Sequence, residues 1–151
     1  MTSPFTSDAE TPDPILGRRL AAEELRALLD LALPAVFSTV TPGGRVHSVP
    51  VHFVVVEGAI RLIAERGSVK VRNVLRTGRA TLCVVATIDG ERSYVTVEGP
   101  VRIEEGIAQQ DLDALDRRYG TGSAAADDEE YAGSITLVLR PERWIGWADR
   151  D

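Results

Sequence analysis

Arg79-Ala80-Thr81-Leu82-Cys83-Val84-Val85-Ala86-Thr87, the pair Asp89-Gly90, and Arg92 to Glu104 form the stretch that decides the fold. Val95, Val97, Val101 and Ile103 recur with a period of two, the mark of a half-buried strand, and Asp-Gly between two such runs is a hairpin turn. Toward the N-terminus, Ala35 to Val40, the long β-rich run Arg45 to Val56 and Ala59 to Glu65 read as strands. Thr41-Pro42-Gly43-Gly44 and Glu57-Gly58 supply the turns between them. Ser134 to Arg140 gives a last strand, stopped by Pro141, and Trp144 and Trp147 follow it near the terminus. The spacing therefore predicts six strands in local hairpins, an antiparallel meander closed into a small barrel so that its edges are paired. There is no internal repeat, and the βαβ alternation of a parallel sheet is missing.

Three helices punctuate these strands. Arg18 to Leu33 carries Leu20, Leu25, Leu28, Leu29 and Leu33 near helical spacing, and Pro34 ends it. Ser68 to Thr77 sets Val71, Val74 and Leu75 opposite basic residues, with Gly78 placed to stop it. Gly106 to Tyr119 is polar-faced, with Ile107, Leu112 and Leu115 as apolar contacts, and Thr121 to Gly133 reads as a mobile acidic loop. Met1 to Pro14, rich in Ser, Thr, Pro and Asp, reads as a disordered tail, which leaves residues 15–151 as the folded domain.

A chain of 151 residues is expected to form one domain, with roughly 68 to 70 % of its unfolded surface buried in one core. The apolar share of 44 % and charged share of 26 % are those of a soluble globular protein. No run approaches the roughly 18 apolar residues that would span a bilayer, and the tail lacks the pattern of a signal peptide, so no membrane partner and a cytoplasmic location are expected. Cys83 is the only cysteine, which excludes an internal disulfide or a cysteine-cluster metal site; inside the apolar run Ala80 to Ala86 it reads as a small buried hydrophobe. A net charge of −6 argues against nucleic acid as a partner, because that affinity rests on neutralising phosphates.

Within this acidic chain, Arg66, Lys70, Arg72, Arg76 and Arg79 fall in a span of fourteen residues that contains no acid. Lys70 is also the only lysine, and it lies just after Ser68, where a strand hands over to a helix. Exposed amides at a helix start attract phosphate, a serine caps them, and an ammonium on a flexible stem adds a point charge, so the cluster suits a small anionic ligand. A solvated lysine on a helix surface is the plain alternative. His47 and His52 differ by five along one predicted strand and point to opposite faces, which does not suit a shared metal. Asp111, Asp113 and Asp116 read as a solvated helix face. The chain has no Gly-x-Ser-x-Gly, Gly-x-Gly-x-x-Gly, Walker or His-Glu-x-x-His motif, which leaves chemistry that belongs to a bound cofactor. Pro50 inside a strand suits an edge, a bulge or a place where backbone meets a ligand. Trp144 and Trp147 suit either packing or an aromatic plate over a flat ring.

Four blocks in register carry a resemblance: Phe37-Ser38-Thr39-Val40, Gly44 to Val51, Ser68-Val69-Lys70-Val71-Arg72-Asn73, and Tyr94-Val95-Thr96-Val97-Glu98-Gly99. From Val36 to Trp147 the chain resembles the split β-barrel flavin and deazaflavin binders related to pyridoxamine 5′-phosphate oxidase. The resemblance implies a mainly β fold, a six-stranded antiparallel split β-barrel with an N-terminal helix and two short connecting helices. It implies a homodimer with two cofactors at the subunit boundary. Ser68, Lys70 and Asn73 would hold the cofactor phosphate and its side chain, with Arg66 or Arg72 assisting. Ser48, Val49, Pro50, Val51 and Ala64 would face the ring system, and the tail with Trp144 or Trp147 would close the site from the partner. No side chain is assigned as acid or base, since hydride would pass directly at the ring.

Ser68-Val69-Lys70 stands where the oxidase has Ser-Arg-Lys, and the oxidase's closing Arg-Leu-x-Pro has no counterpart in Arg140 to Asp151. The pattern is more similar to the branch that uses the deazaflavin coenzyme F-420. That likeness implies an F-420-dependent oxidoreductase reducing a small conjugated substrate. An FMN enzyme of the same fold and a non-catalytic flavin or haem carrier are the alternatives.

Overall fold

The computed structural model describes residues 17–149, so the tail read over Met1 to Pro14 lies outside the described residues. The elements run β1 (Arg18–Arg19), α1 (Ala22–Asp30), β2 (Ala35–Val40), β3 (Val46–Val51), β4 (Val54–Val56), β5 (Ala59–Glu65) and α2 (Val69–Thr77). They continue as β6 (Arg79–Ile88), β7 (Glu91–Glu105), α3 (Gln109–Tyr119), β8 (Ser134–Leu139) and β9 (Arg143–Ala148), with a 3-10 turn at Glu129–Tyr131. Every strand pair is antiparallel, as the sequence predicts. The turns at Glu57-Gly58 and Asp89-Gly90 hold all four residues at positive φ, the geometry that a two-residue hairpin connection needs to match strand twist.

The connectivity differs from a meander. The strand order is β3-β2-β6-β7-β8-β5-β4, so β2 takes β6 as its second neighbour and β5 takes β8. The run Arg45 to Val56 is two strands: the chain leaves one sheet at Val51, passes His52 and Phe53, and enters the other as β4. The break has a cause, since Phe53 is wholly buried and its N–H donates to Tyr119 Oη at 3.3 Å and not to a neighbouring strand. Trp144 and Trp147 lie on a further strand, β9, and not on a free tail.

Strand β7 belongs to both sheets. It pairs with β9 from Ser93 to Glu98 and with β8 from Val101 to Glu105, changing partners at Gly99-Pro100. A Cβ at Gly99 would lie 1.9 Å from the Arg140 carbonyl oxygen, so no side chain fits there. The core between the two sheets is filled by Phe37, Leu82 and Val95 from one and Ile60, Leu137 and Leu139 from the other, all fully buried.

Helix α1 is shorter than the predicted Arg18 to Leu33. Arg18 and Arg19 pair with Ala148 and Trp147, and the Leu20 N–H donates to the Gly146 carbonyl at 2.9 Å, which draws this segment into the sheet. The Glu24 carboxylate then accepts the Ala21 N–H at 3.1 Å and starts the helix. Leu25, Leu28 and Leu29 remain its buried face.

Helix α3 is clamped at both ends. Near its start, Asp111 is buried beside Arg61 of β5, whose guanidinium lies 3.0 Å from it and 2.6 Å from Glu104 of β7, which corrects the solvated reading of that aspartate. At its end, Arg118 donates to the carbonyls of Leu29 and Leu31 and lies 4.5 Å from the Phe53 ring, while the Tyr119 hydroxyl donates to the Leu33 carbonyl at 3.0 Å. The following loop, expected to be mobile, is fastened to the same helix. Asp116 accepts the Gly122 N–H at 2.6 Å, and Gln109 bonds the Ala124 carbonyl and the Ala126 N–H, each at 2.8 Å.

Two predictions follow from these contacts. Gly99→Ala should destabilise the protein by about 2 to 3 kcal/mol, whereas Gly67→Ala, whose added methyl meets nothing within 4 Å, should stay within about 0.5 kcal/mol; urea unfolding compares them, and equal midpoints would contradict the close crossing. Arg61→Ala leaves Asp111 buried without its cation and should cost about 3 kcal/mol. The Glu104 carboxyl is held down to about 2, first by Arg61 and then by Arg102. A lowered folded value stabilises above the ordinary range near 4.5 and is lost as pH falls toward 2, so the acid-induced loss measured between those limits should be smaller in Arg61→Ala.

Candidate functional site

Helix α2 begins at Ser68, whose backbone is extended, and has no acidic residue in its first turn. The Ser68 Oγ is buried and has no hydrogen-bond partner among the described residues. Two residues on, Lys70 is half-buried and lines a cleft of about 710 Å³ together with Pro50, Val51 and His52. Ile63 of β5 and Leu112 of α3 supply apolar wall, and the loop fastened to α3 closes one side through Thr121 to Ala124 and Tyr131. Burial, with the Glu130 and Asp128 carboxylates beside it, pushes the Tyr131 hydroxyl above its ordinary range and keeps it protonated at neutral pH.

The basic cluster is less free than its sequence suggests. Arg66 is ion-paired with Glu105, and Arg79 with Glu98 and Glu142. Arg76 donates to the Val40 carbonyl and to Asn73 Oδ1. Only Lys70 and Arg72 of the five have no hydrogen-bonded or ionic side-chain partner among the described residues. The uncommitted positive charge of the segment therefore sits at the start of α2, one residue of it on the cleft.

The structure brings Pro50, Val51 and Lys70 to one wall and distributes the other predicted residues. Ser48 faces outward, its Oγ 2.8 Å from that of Ser38, and Val49 is half-buried opposite Phe37. Ala64 points into the core, on the opposite face of β5 from Ile63, which lines the cleft instead. Asn73 is buried and donates to Thr39 Oγ1 at 3.0 Å, tying α2 to β2. Trp144 and Trp147 are buried on β9 and are not on the cleft wall; Trp147 has the Arg19 guanidinium 5.7 Å from its ring centroid.

Sequence reasoning placed the two histidines on one strand, but His52 sits past the end of β3 and stacks on Tyr119 at 4.0 Å, facing the cleft. Tyr131 carried no periodic signal, because it belongs to an irregular loop, whereas Leu112 was legible as an apolar helix position without its destination. Among the described residues no group of three or more His, Cys, Asp or Glu side chains could hold a metal ion, and no helix is long and apolar enough to cross a membrane.

Three solved structures share this architecture at low identity. An F-420 reductase is 21 % identical with a TM-score of 0.67, over 79 % of this chain and 94 % of its own. An FAD-binding protein from Mesorhizobium loti is 14 % identical with a TM-score of 0.71, over 88 % and 98 %. A conserved hypothetical protein from Mycobacterium tuberculosis is 18 % identical with a TM-score of 0.74, over 91 % and 89 %. No curated protein matches the chain in sequence. The sequence model of pyridoxamine 5′-phosphate oxidase matches residues 21–148, nearly all of the described fold, and on that match the chain belongs to the pyridoxamine 5′-phosphate oxidase family.

Proposed function

We propose that this protein is a deazaflavin-dependent oxidoreductase that reduces a small conjugated substrate with coenzyme F-420, FMN being the alternative cofactor. The observation that carries the reading is the placement of the single lysine, Lys70, on one cleft with Pro50 and Val51. The residues present fit such a group. The orphaned Ser68 hydroxyl and the first amides of α2 suit a phosphate, and Lys70 and Arg72 add the positive charge. When bound, the cofactor supplies hydride. The chain's own part is to orient it: Pro50, Val51 and Ile63 offer an apolar wall for a flat ring, and the loop held by Gln109 and Asp116 keeps water from that side. The likeness to an F-420 reductase supports the choice of deazaflavin.

The same reading includes a homodimer. Val36, Val40, Val46 and Val85 are large apolar residues exposed by more than two fifths, and β-sheet alternation sets them with Pro50 on the outward face of β3-β2-β6. A second copy of this chain is the occupant that suits this face, because Pro50 also lines the cleft and a neighbour there would wall it.

Fluorescence titration of the purified protein should give saturable binding of F-420, weaker by ten- to a hundredfold in Lys70→Ala, the loss of one charge-assisted contact. Tight FMN binding with none of F-420 would transfer the assignment to FMN, haem binding without turnover of enones would favour a carrier, and an unchanged affinity in Lys70→Ala at low salt would remove the lysine from the site. Sedimentation should report twice the chain mass of 16.4 kDa, and Val46→Glu should shift it toward one; a monomeric wild type would overturn the dimer.

A further inference from the structure

We infer that a second cavity, sharing no residue with the Lys70 cleft, binds a small planar aromatic carboxylate. It has a volume of about 350 Å³ and lies between the C-terminal half of α1, the β4–β5 hairpin and the β8–β9 connection. Its walls are apolar: Leu29 from the helix, Val55 from the hairpin, and Pro141 with the Trp144 ring from the connection. Such a slot suits a flat ring system, which gains both burial and an aromatic neighbour.

The charges on its rim select an anion. Arg26, Asp30 and Arg140 lie on it, and Arg26 is engaged in an interaction of its own, so Arg140 is the group left to meet an anion. Arg140 is exposed, and among the described residues its side chain has no hydrogen-bonded or ionic partner. Glu142, two residues on, is directed at Arg79, 3.0 Å away, and makes no ion pair with Arg140 among the described residues. A guanidinium is a planar fork of donors that matches a carboxylate, so an uncommitted arginine beside an aromatic slot recognises a ring bearing a carboxylate.

The slot is also built in advance. The β8–β9 connection lies against Gly99, fixed by the Arg140 N–H to the Pro100 carbonyl at 3.0 Å and the Glu142 N–H to the Glu98 carbonyl at 2.8 Å. Little ordering of this wall is then left for a ligand to impose.

The test uses 2-naphthoate and its uncharged counterpart 2-naphthamide on the full chain, without cofactor, followed by two-dimensional amide NMR. Saturable binding of 2-naphthoate is expected with a dissociation constant below about 1 mM, and shifts concentrated at residues 26–30, 55–58 and 140–144. The amide, and Arg140→Ala with the acid, should each bind about tenfold more weakly. Arg140→Gln serves in place of Arg140→Ala if thermal unfolding shows that the latter is unfolded. No saturation, equal affinity for acid and amide, or shifts gathered instead around Lys70 would overturn the assignment. None of these outcomes bears on cofactor binding at the Lys70 cleft, whose failure is read separately in the F-420 titration.

Discussion

The Arg140 carbonyl occupies the space where residue 99 would carry a side chain, and the architecture depends on that vacancy in the chemistry of β7. Because Gly99 lets the β8–β9 connection lie flat on the strand, β7 passes unbroken from one sheet into the other and exchanges β9 for β8 in two residues. A strand that ended there would leave two small sheets with open edges, each too short to bury its own apolar face. One continuous strand instead fixes the two sheets relative to each other. Fixing them sets the gap that Phe53 crosses and the position of β3 and β5 around the Lys70 cleft. The second cavity depends on the same crossing from its other side, through Arg140 and Trp144.

How much of this was legible in the sequence follows the range of the interactions. Hairpins are local, so Glu57-Gly58 and Asp89-Gly90 announced themselves, and the family resemblance fixed the barrel. The break at His52-Phe53 was hidden because its cause, the hydroxyl of Tyr119, lies 66 residues away. Arg18 and Arg19 were absorbed into a helix because β9, the strand that claims them, lies at the opposite end of the described chain. In the same way Asp111 read as one of several surface acids until Arg61, fifty residues earlier, was found against it. For the candidate cleft, Lys70 was legible by composition, and Pro50 by its chemistry. His52, Ile63 and Tyr131 were not, since a cleft wall assembled from a crossing, a strand and a loop leaves no pattern along the chain.

Charge shows the same contrast between sequence and space. Five cations in fourteen residues look like one basic patch, yet geometry divides them into two kinds. Arg66, Arg76 and Arg79 act as struts, each spending its planar donors on carboxylates or carbonyls that join α2 and its flanks to β2, β7 and the β8–β9 connection. Lys70 and Arg72 have no such work among the described residues. Three guanidinium forks thus lock onto fixed acceptors, while Lys70, an ammonium on a flexible stem, and Arg72 are left for a ligand that comes and goes. On the proposed reading the solitary lysine is therefore where the chain needs a mobile charge, with Arg72 beside it.

Strand β3 joins the two halves of that reading. It is an edge strand, so Pro50 costs no ladder hydrogen bond there, and its missing N–H removes a donor that an approaching chain could use for edge pairing. The apolar face beside it thus invites contact through side chains and not through strand addition. Alternation turns Val46, Ser48 and Pro50 outward and His47, Val49 and Val51 inward, yet Pro50 and Val51 both reach the cleft because the strand ends there. On the proposed reading, a second copy laid on this face would add a wall to the cleft at Pro50. A ring lying against Pro50 and Val51 would then gain cover from that copy, so occupancy of the cleft and association of the chains would each favour the other.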